Sequence, residues 1–196
     1  MPRVKKYDPD RVLEKAMKTF WAKGYDSTSV ENLVESMGIN RFSLYDSFGS
    51  KRQLYLSVLD TYCQNVVGQR LGALEGSDEG LDCLRKFLND YADGVCENVR
   101  KKGMPKGCLM TMTSTDLIRE DPEVARRVEA NLRRMIRAFR RVLERAVEKG
   151  EINRNADLNA YAIYLVGCAQ GLDIIAKSLN PKELRIYIDK VIAGLQ

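Results

Sequence analysis

Arg41, Phe42 and Ser43 stand directly behind Asn40, at the head of a short segment that ends at Phe48 and Gly49. If that segment is a helix, Asn40 caps it and the three side chains project from its first turn. An arginine so placed can make paired hydrogen bonds to guanine, a serine can donate or accept at several bases, and a phenylalanine can touch a thymine methyl. Tyr45 can offer its hydroxyl to a phosphate and Lys51 can add a charge, contacts that position a protein on a duplex without reading it. Tyr45 and Phe48 suit a core equally well, and Phe42 suits packing against a neighbouring helix. Other chemistry has little to work with. The chain has no histidine, which removes the usual general base and the commonest metal ligand. Cys63, Cys83, Cys96, Cys108 and Cys168 are odd in number and scattered, which fits neither a disulfide framework nor a zinc site. With no Gly-rich phosphate loop either, the expectation is a non-enzyme without cofactor or metal.

The elements that must hold these residues read as helices throughout. Asp8-Pro9 is a start signal, a carboxylate cap followed by proline at the first helical position. Val12, Leu13, Ala16, Met17, Phe20 and Trp21 then recur with helical spacing up to Gly24. Thr28-Ser29-Val30-Glu31 has the pattern of a capping box with Thr28 at the cap, and a short helix follows with Val30, Leu33, Val34 and Met37 inward. Gly38-Ile39 turns the chain into the segment after Asn40. Two short helices about such a turn form a helix-turn-helix, whose second helix can lie in a major groove. The caps at Thr28 and Ser50 set two helix starts where free amides can anchor phosphates. Ser50 opens a longer helix reaching about Arg70. Beyond it the periodicity predicts a helix from Leu81 to about Val95, a basic loop over Lys101–Gly107, a helix from Cys108 to about Arg119, an Arg-rich helix from Pro122 to near Gly150, and two closing helices, 157–179 and 181–195.

Composition sets wide bounds. The 196 residues are 44% hydrophobic and 30% charged, with a net charge of +5, ordinary for a globular protein and permissive of nucleic acid without arguing for it. The polar N-terminus lacks the apolar core of a signal peptide. The apolar stretch from Leu158 to Ala176 is interrupted by Asn159, Gln170 and Asp173 and reads as a buried helix rather than a membrane span. The expectation is a cytoplasmic protein without a membrane partner.

The run from Thr28 to Val34, followed by Met37-Gly38-Ile39-Asn40-Arg41-Phe42-Ser43-Leu44-Tyr45 and Phe48-Gly49-Ser50-Lys51, resembles the DNA-binding domain of TetR/AcrR family regulators. So does the preceding helix with Phe20, Gly24 and Tyr25. Phe42 departs from the small residue usual at its position, which touches the base-reading surface. The resemblance implies an all-α protein: a three-helix helix-turn-helix domain over residues 1–50, then a helical ligand-binding and dimerisation domain over 51–196. It implies a regulator, in the commoner mode a repressor, that binds a double-stranded, two-fold operator as a homodimer and is released by a small-molecule effector. The DNA contacts would be Thr28, Arg41, Phe42, Ser43, Tyr45 and Lys51. The last two helices would meet a second subunit through Tyr161, Leu165, Cys168, Leu172, Leu184, Ile188 and Val191; burial within one subunit is the competing reading. A pocket among the middle helices would be lined by Cys63, Val67, Phe87, Tyr91, Cys108, Met110 and Met112, although the same residues would also make an ordinary core.

Two features stay open. Cys108 follows a basic loop and begins a helix, circumstances that lower a thiol pKa and suit a redox or electrophile sensor; plain packing is the alternative. The arginines of residues 126–145 suggest a second nucleic-acid surface or, more simply, a solvated face with ion pairs to Glu123, Glu129 and Glu144.

Overall fold

The computed structural model describes residues 7–101, 104, 107–116 and 121–196, and every element among them is helical. Helices α1 (Pro9–Lys23), α2 (Val30–Met37) and α3 (Arg41–Phe48) form the N-terminal unit, with α4 (Lys51–Tyr62) packed against α1. The starts follow from local chemistry. Asp8 accepts hydrogen bonds from the amides of Asp10 and Arg11, with Pro9 at the first helical position. Asn40 accepts from the Ser43 amide and Ser50 from that of Gln53, each satisfying an otherwise orphaned N–H. The α2 cap is Ser29, not Thr28: the Ser29 hydroxyl accepts from Asn32, whose side chain accepts in return from the Ser29 amide. Between α2 and α3, Gly38 takes a left-handed φ of 72°, a conformation that glycine adopts at no steric cost.

The helix begun at Ser50 runs on past Arg70. After α4 it passes through a π-helical turn, Cys63–Val67, and continues as α5 (Gly68–Glu75). The guanidinium of Arg134 donates to the Cys63 carbonyl at 2.9 Å. Gly68 leaves room beside it: a Cβ at that position would lie 3.1 Å from Nη2 of the same guanidinium. Helices α6 (Leu81–Arg100), α7 (Leu109–Asp116), α8 (Pro122–Glu148), α9 (Leu158–Ile175) and α10 (Pro181–Ala193) complete the body. Lys102, Gly103, Pro105 and Lys106 of the basic loop, and the expected end of α7 near Arg119, lie outside the described residues.

Helix α8 is the spine, touching α4, α5, α6, α7 and α9. Its inward face carries Val128, Phe139, Val142, Leu143 and Ala146, all buried. Its arginines are a solvated, paired face: Arg133 meets Glu129, Arg140 meets Glu144, Arg141 meets Glu75 and Arg127 meets Asp60. Arg145 donates to the carbonyls of Leu74 and Glu79. Helix α9 is apolar enough in composition to cross a membrane, with a mean hydropathy of 1.3, but it packs against α6, α8 and α10.

Candidate nucleic-acid interface and cavity

Helix α3 is held from below by Leu44, fully buried, and presents Phe42 and Tyr45 to solvent at 68% and 43% exposure. Such exposure of two aromatics on one short helix costs solvation and is expected where a partner covers them. Arg41 beside them is exposed and paired with Glu31 of α2 at 2.8 Å. An ion pair this open to water is readily exchanged for another acceptor. Ser43 is half-buried, and the hydroxyl of Tyr7 contacts both its carbonyl and the Ser47 hydroxyl. Tyr7 therefore braces the presenting helix, a role with no local sequence signal, since it joins residues some 40 positions apart.

Lys51 sits at the first position of α4 with its ammonium 4.3 Å from the centre of the Tyr25 ring. Tyr25 packs on Tyr55, which meets Phe20 edge-on, so the aromatic cluster of the N-terminal core supports this cation from behind. Thr28 is corrected by the structure. Its side chain is fully buried, and its hydroxyl donates to the Gly24 carbonyl at 2.6 Å, so it closes the end of α1 and offers nothing to a surface. Ser29 holds the exposed helix start in its place. Thr-Ser adjacency hides this choice, because either hydroxyl can cap and packing decides which.

Between α5, α6, α7, α8 and α9 lies a small, mostly apolar cavity of about 50 Å³ that opens to the surface. Val67, Phe87, Tyr91, Cys108 and Met110 line it; Arg70, Asn131, Leu132, Met135 and Gln170 also line it. Cys63 and Met112 do not. The Cys63 thiol lies in the π turn against Asn131, and burial pushes it up to about 11. Asn131, Leu132, Met135 and Gln170 had no local signal, because α8 and α9 reach the cavity only through the packing of distant segments.

One wall joins the cavity to the N-terminal unit. Cys108 is half-buried, and its sulfur accepts from the buried Tyr62 hydroxyl at 3.4 Å. Its neighbour Gly107 has φ 92° and approaches Asp173 so closely that a Cβ would lie 2.5 Å from the carboxylate. The Gly107 carbonyl accepts from the Trp21 indole of α1 at 2.9 Å. Asp173 is fully buried and takes the Tyr91 hydroxyl. Burial pushes its carboxyl up, while Tyr91, Lys177 and the Cys108 amide pull it back.

Six of the seven residues expected to meet a second subunit prove to be core. Leu165, Leu172, Leu184, Ile188 and Val191 are at most 2% exposed, and Cys168 is also buried, its carbonyl accepting from Tyr187. Tyr161 is half-buried. The open stripe of α9 is the opposite one: Ile163, Tyr164 and Ile174 are about half exposed, as is Ile186 on α10, with Gly167 and Gly171 on the same α9 face.

Residues 12–58 match the model of the bacterial regulatory proteins of the tetR family, and residues 80–186 match a tetracyclin repressor-like C-terminal domain. The chain is 33% identical over 191 residues to the uncharacterized HTH-type transcriptional regulator YezE of Bacillus subtilis, covering 96% of each chain. It is 30% identical over 175 residues to the HTH-type transcriptional repressor ComR of Escherichia coli, covering 89% of this chain and 82% of that protein. Among solved structures, a cysteine variant of the TetR family transcriptional regulator CifR, complexed with a 26-base-pair double-strand operator DNA, superposes with a TM-score of 0.85 at 25% identity, covering 99% of this chain and all of that one.

Proposed function

The chain belongs to the TetR family and is a DNA-binding transcriptional regulator; from that premise we propose that it is a dimeric repressor, working in the cytoplasm, that a small molecule releases from its operator. The observation that carries the DNA-reading assignment is the exposed Arg41, Phe42 and Tyr45 surface of α3, flanked by the capped starts of α2 and α4. In this reading Arg41 leaves Glu31 for a guanine edge, Phe42 meets a thymine methyl and Ser43 makes a shorter-range contact. Tyr45, Lys51 and the amides behind Ser29 and Ser50 take phosphates.

The second subunit would cover Ile163, Tyr164, Ile174 and Ile186, with Gly167 and Gly171 allowing the helices to approach closely. Two reading heads then match a two-fold operator. An effector in the cavity would act by favouring a state in which the heads no longer fit, and the Cys108–Gly107–Trp21 wall supplies a direct mechanical link to α1. A thiol-based variant of the same response is supported by one observation: Cys108 lines the cavity, so an electrophile that enters meets its sulfur. Cys108→Ser abolishing an electrophile's effect on DNA binding would establish that variant, and an unchanged effect would end it.

The deciding experiment is fluorescence anisotropy at about 0.15 M salt on the DNA upstream of the chain's own gene, against a scrambled duplex, followed by fragment selection if that duplex is not the operator. Arg41→Ala should lose about 1–3 kcal/mol of discrimination between the selected site and scrambled DNA. Undiminished discrimination would remove Arg41 as the base reader.

A further inference from the structure

We infer that the cavity takes an amphipathic organic anion, a carboxylate carried on an aliphatic or aromatic body, with Arg70 as its anchor. This rests on the reading of the cavity as the effector site and names the class of effector. Arg70 is the one charged side chain among the described residues that line the cavity. The walls around it, including Val67, Leu71, Phe87, Leu132 and Met135, are apolar, and methionine adapts to bodies of differing shape.

Arg70 is exposed. Among the described residues no carboxylate lies within ion-pair distance of it, whereas Arg127, Arg140 and Arg141 each hold one. Arg70 lies over the ring of Tyr91, 5.1 Å from the guanidinium carbon to the ring centre. A guanidinium held over an aromatic ring still has N–H groups to offer, and its planar fork can take a carboxylate through two parallel hydrogen bonds. The platform is fixed, because the Tyr91 hydroxyl is held by Asp173. That aspartate is fully buried and has its own cationic partner in Lys177, 3.7 Å away. Arg70 also borders an adjoining outer hollow lined by Glu79, Lys86 and Asp90, so it stands at the mouth of the apolar cavity. A neutral ligand would cover the guanidinium without pairing it, which carries a desolvation cost, and a cationic one would be repelled.

The test is calorimetric titration of the DNA-free protein, below micelle formation, with decanoate, decanol and decyltrimethylammonium, and with the matched pair 2-naphthoate and 2-naphthol. Emission from Trp21, the sole tryptophan and a partner of Gly107, gives a second readout. At least one carboxylate should bind saturably and about tenfold or more tighter than its alcohol, the advantage expected of a charge-assisted bidentate contact. Arg70→Met should erase that advantage while leaving the alcohol's affinity unchanged, and Arg70→Lys should restore part of it. Equal affinity for acid and alcohol, tighter binding of the ammonium, no saturable binding of either acid, or an Arg70→Met protein that still prefers the acid would each overturn the inference. Release of operator DNA is measured separately: a carboxylate that binds through Arg70 without releasing DNA upholds the ligand class and refutes the release reading.

Discussion

Arg41 of the N-terminal unit and the arginines that bridge helices in the body are held in opposite ways. In the body, Arg134 and Arg145 donate to backbone carbonyls and Arg127 is chelated by Asp60 with both nitrogens, so these side chains fasten helix to helix. In the N-terminal unit, Arg41 has one exposed carboxylate partner and the exposed Phe42 beside it. A side chain that fastens is spent, and one held loosely is available. The same contrast marks the aromatics: Phe139 is fully buried against Phe87, while Phe42 stands in water.

The largest effect that would test this contrast is Phe139→Ala, expected to cost about 3–5 kcal/mol of folding stability by chemical denaturation. Phe42→Ala should stay within about 0.5 kcal/mol in the same experiment while changing operator preference; a large loss of stability there would mean that Phe42 is structural. Next comes Asp121, which caps α8 through the amides of Glu123 and Val124 and binds Arg52 with both oxygens. Loss of the cap in Asp121→Ala should cost about 1–2 kcal/mol. The Arg52 guanidinium holds the Asp121 carboxyl down, to about 2. Its contribution is therefore full above the ordinary carboxylate range and fades as pH falls toward about 2; acid titration of wild type against Asp121→Ala should converge there. The smallest effect belongs to Lys51→Ala: a similar weakening on every duplex and a salt slope reduced by about one. A loss confined to one sequence would instead make Lys51 a base reader.

Much of the N-terminal unit was legible because its signals are local. Asp8-Pro9, Asn40 and Ser50 cap helices whatever surrounds them, and Gly38 permits the turn. Thr28 marks where locality ended: two adjacent hydroxyls were equally able to cap, and burial against the end of α1 assigned one inward. In the body, the cavity was half legible. Its residues on the segments nearest in sequence, Val67, Phe87, Tyr91, Cys108 and Met110, were recognisable by type, while Arg70, Asn131 and Gln170 were polar residues with no reason to be chosen until α8 and α9 closed over them.

By itself the sequence determined the all-helical plan and most of the helix starts, since each depends on residues within a few positions of one another. The phase of α9 was beyond it. That helix is apolar around most of its circumference, so a 3.6-residue period has no contrast from which to take a direction. Packing against α6, α8 and α10 turned Leu165 and Leu172 inward and left Ile163, Tyr164 and Ile174 outside, because only the long-range contacts of the folded chain distinguish one apolar face from the other.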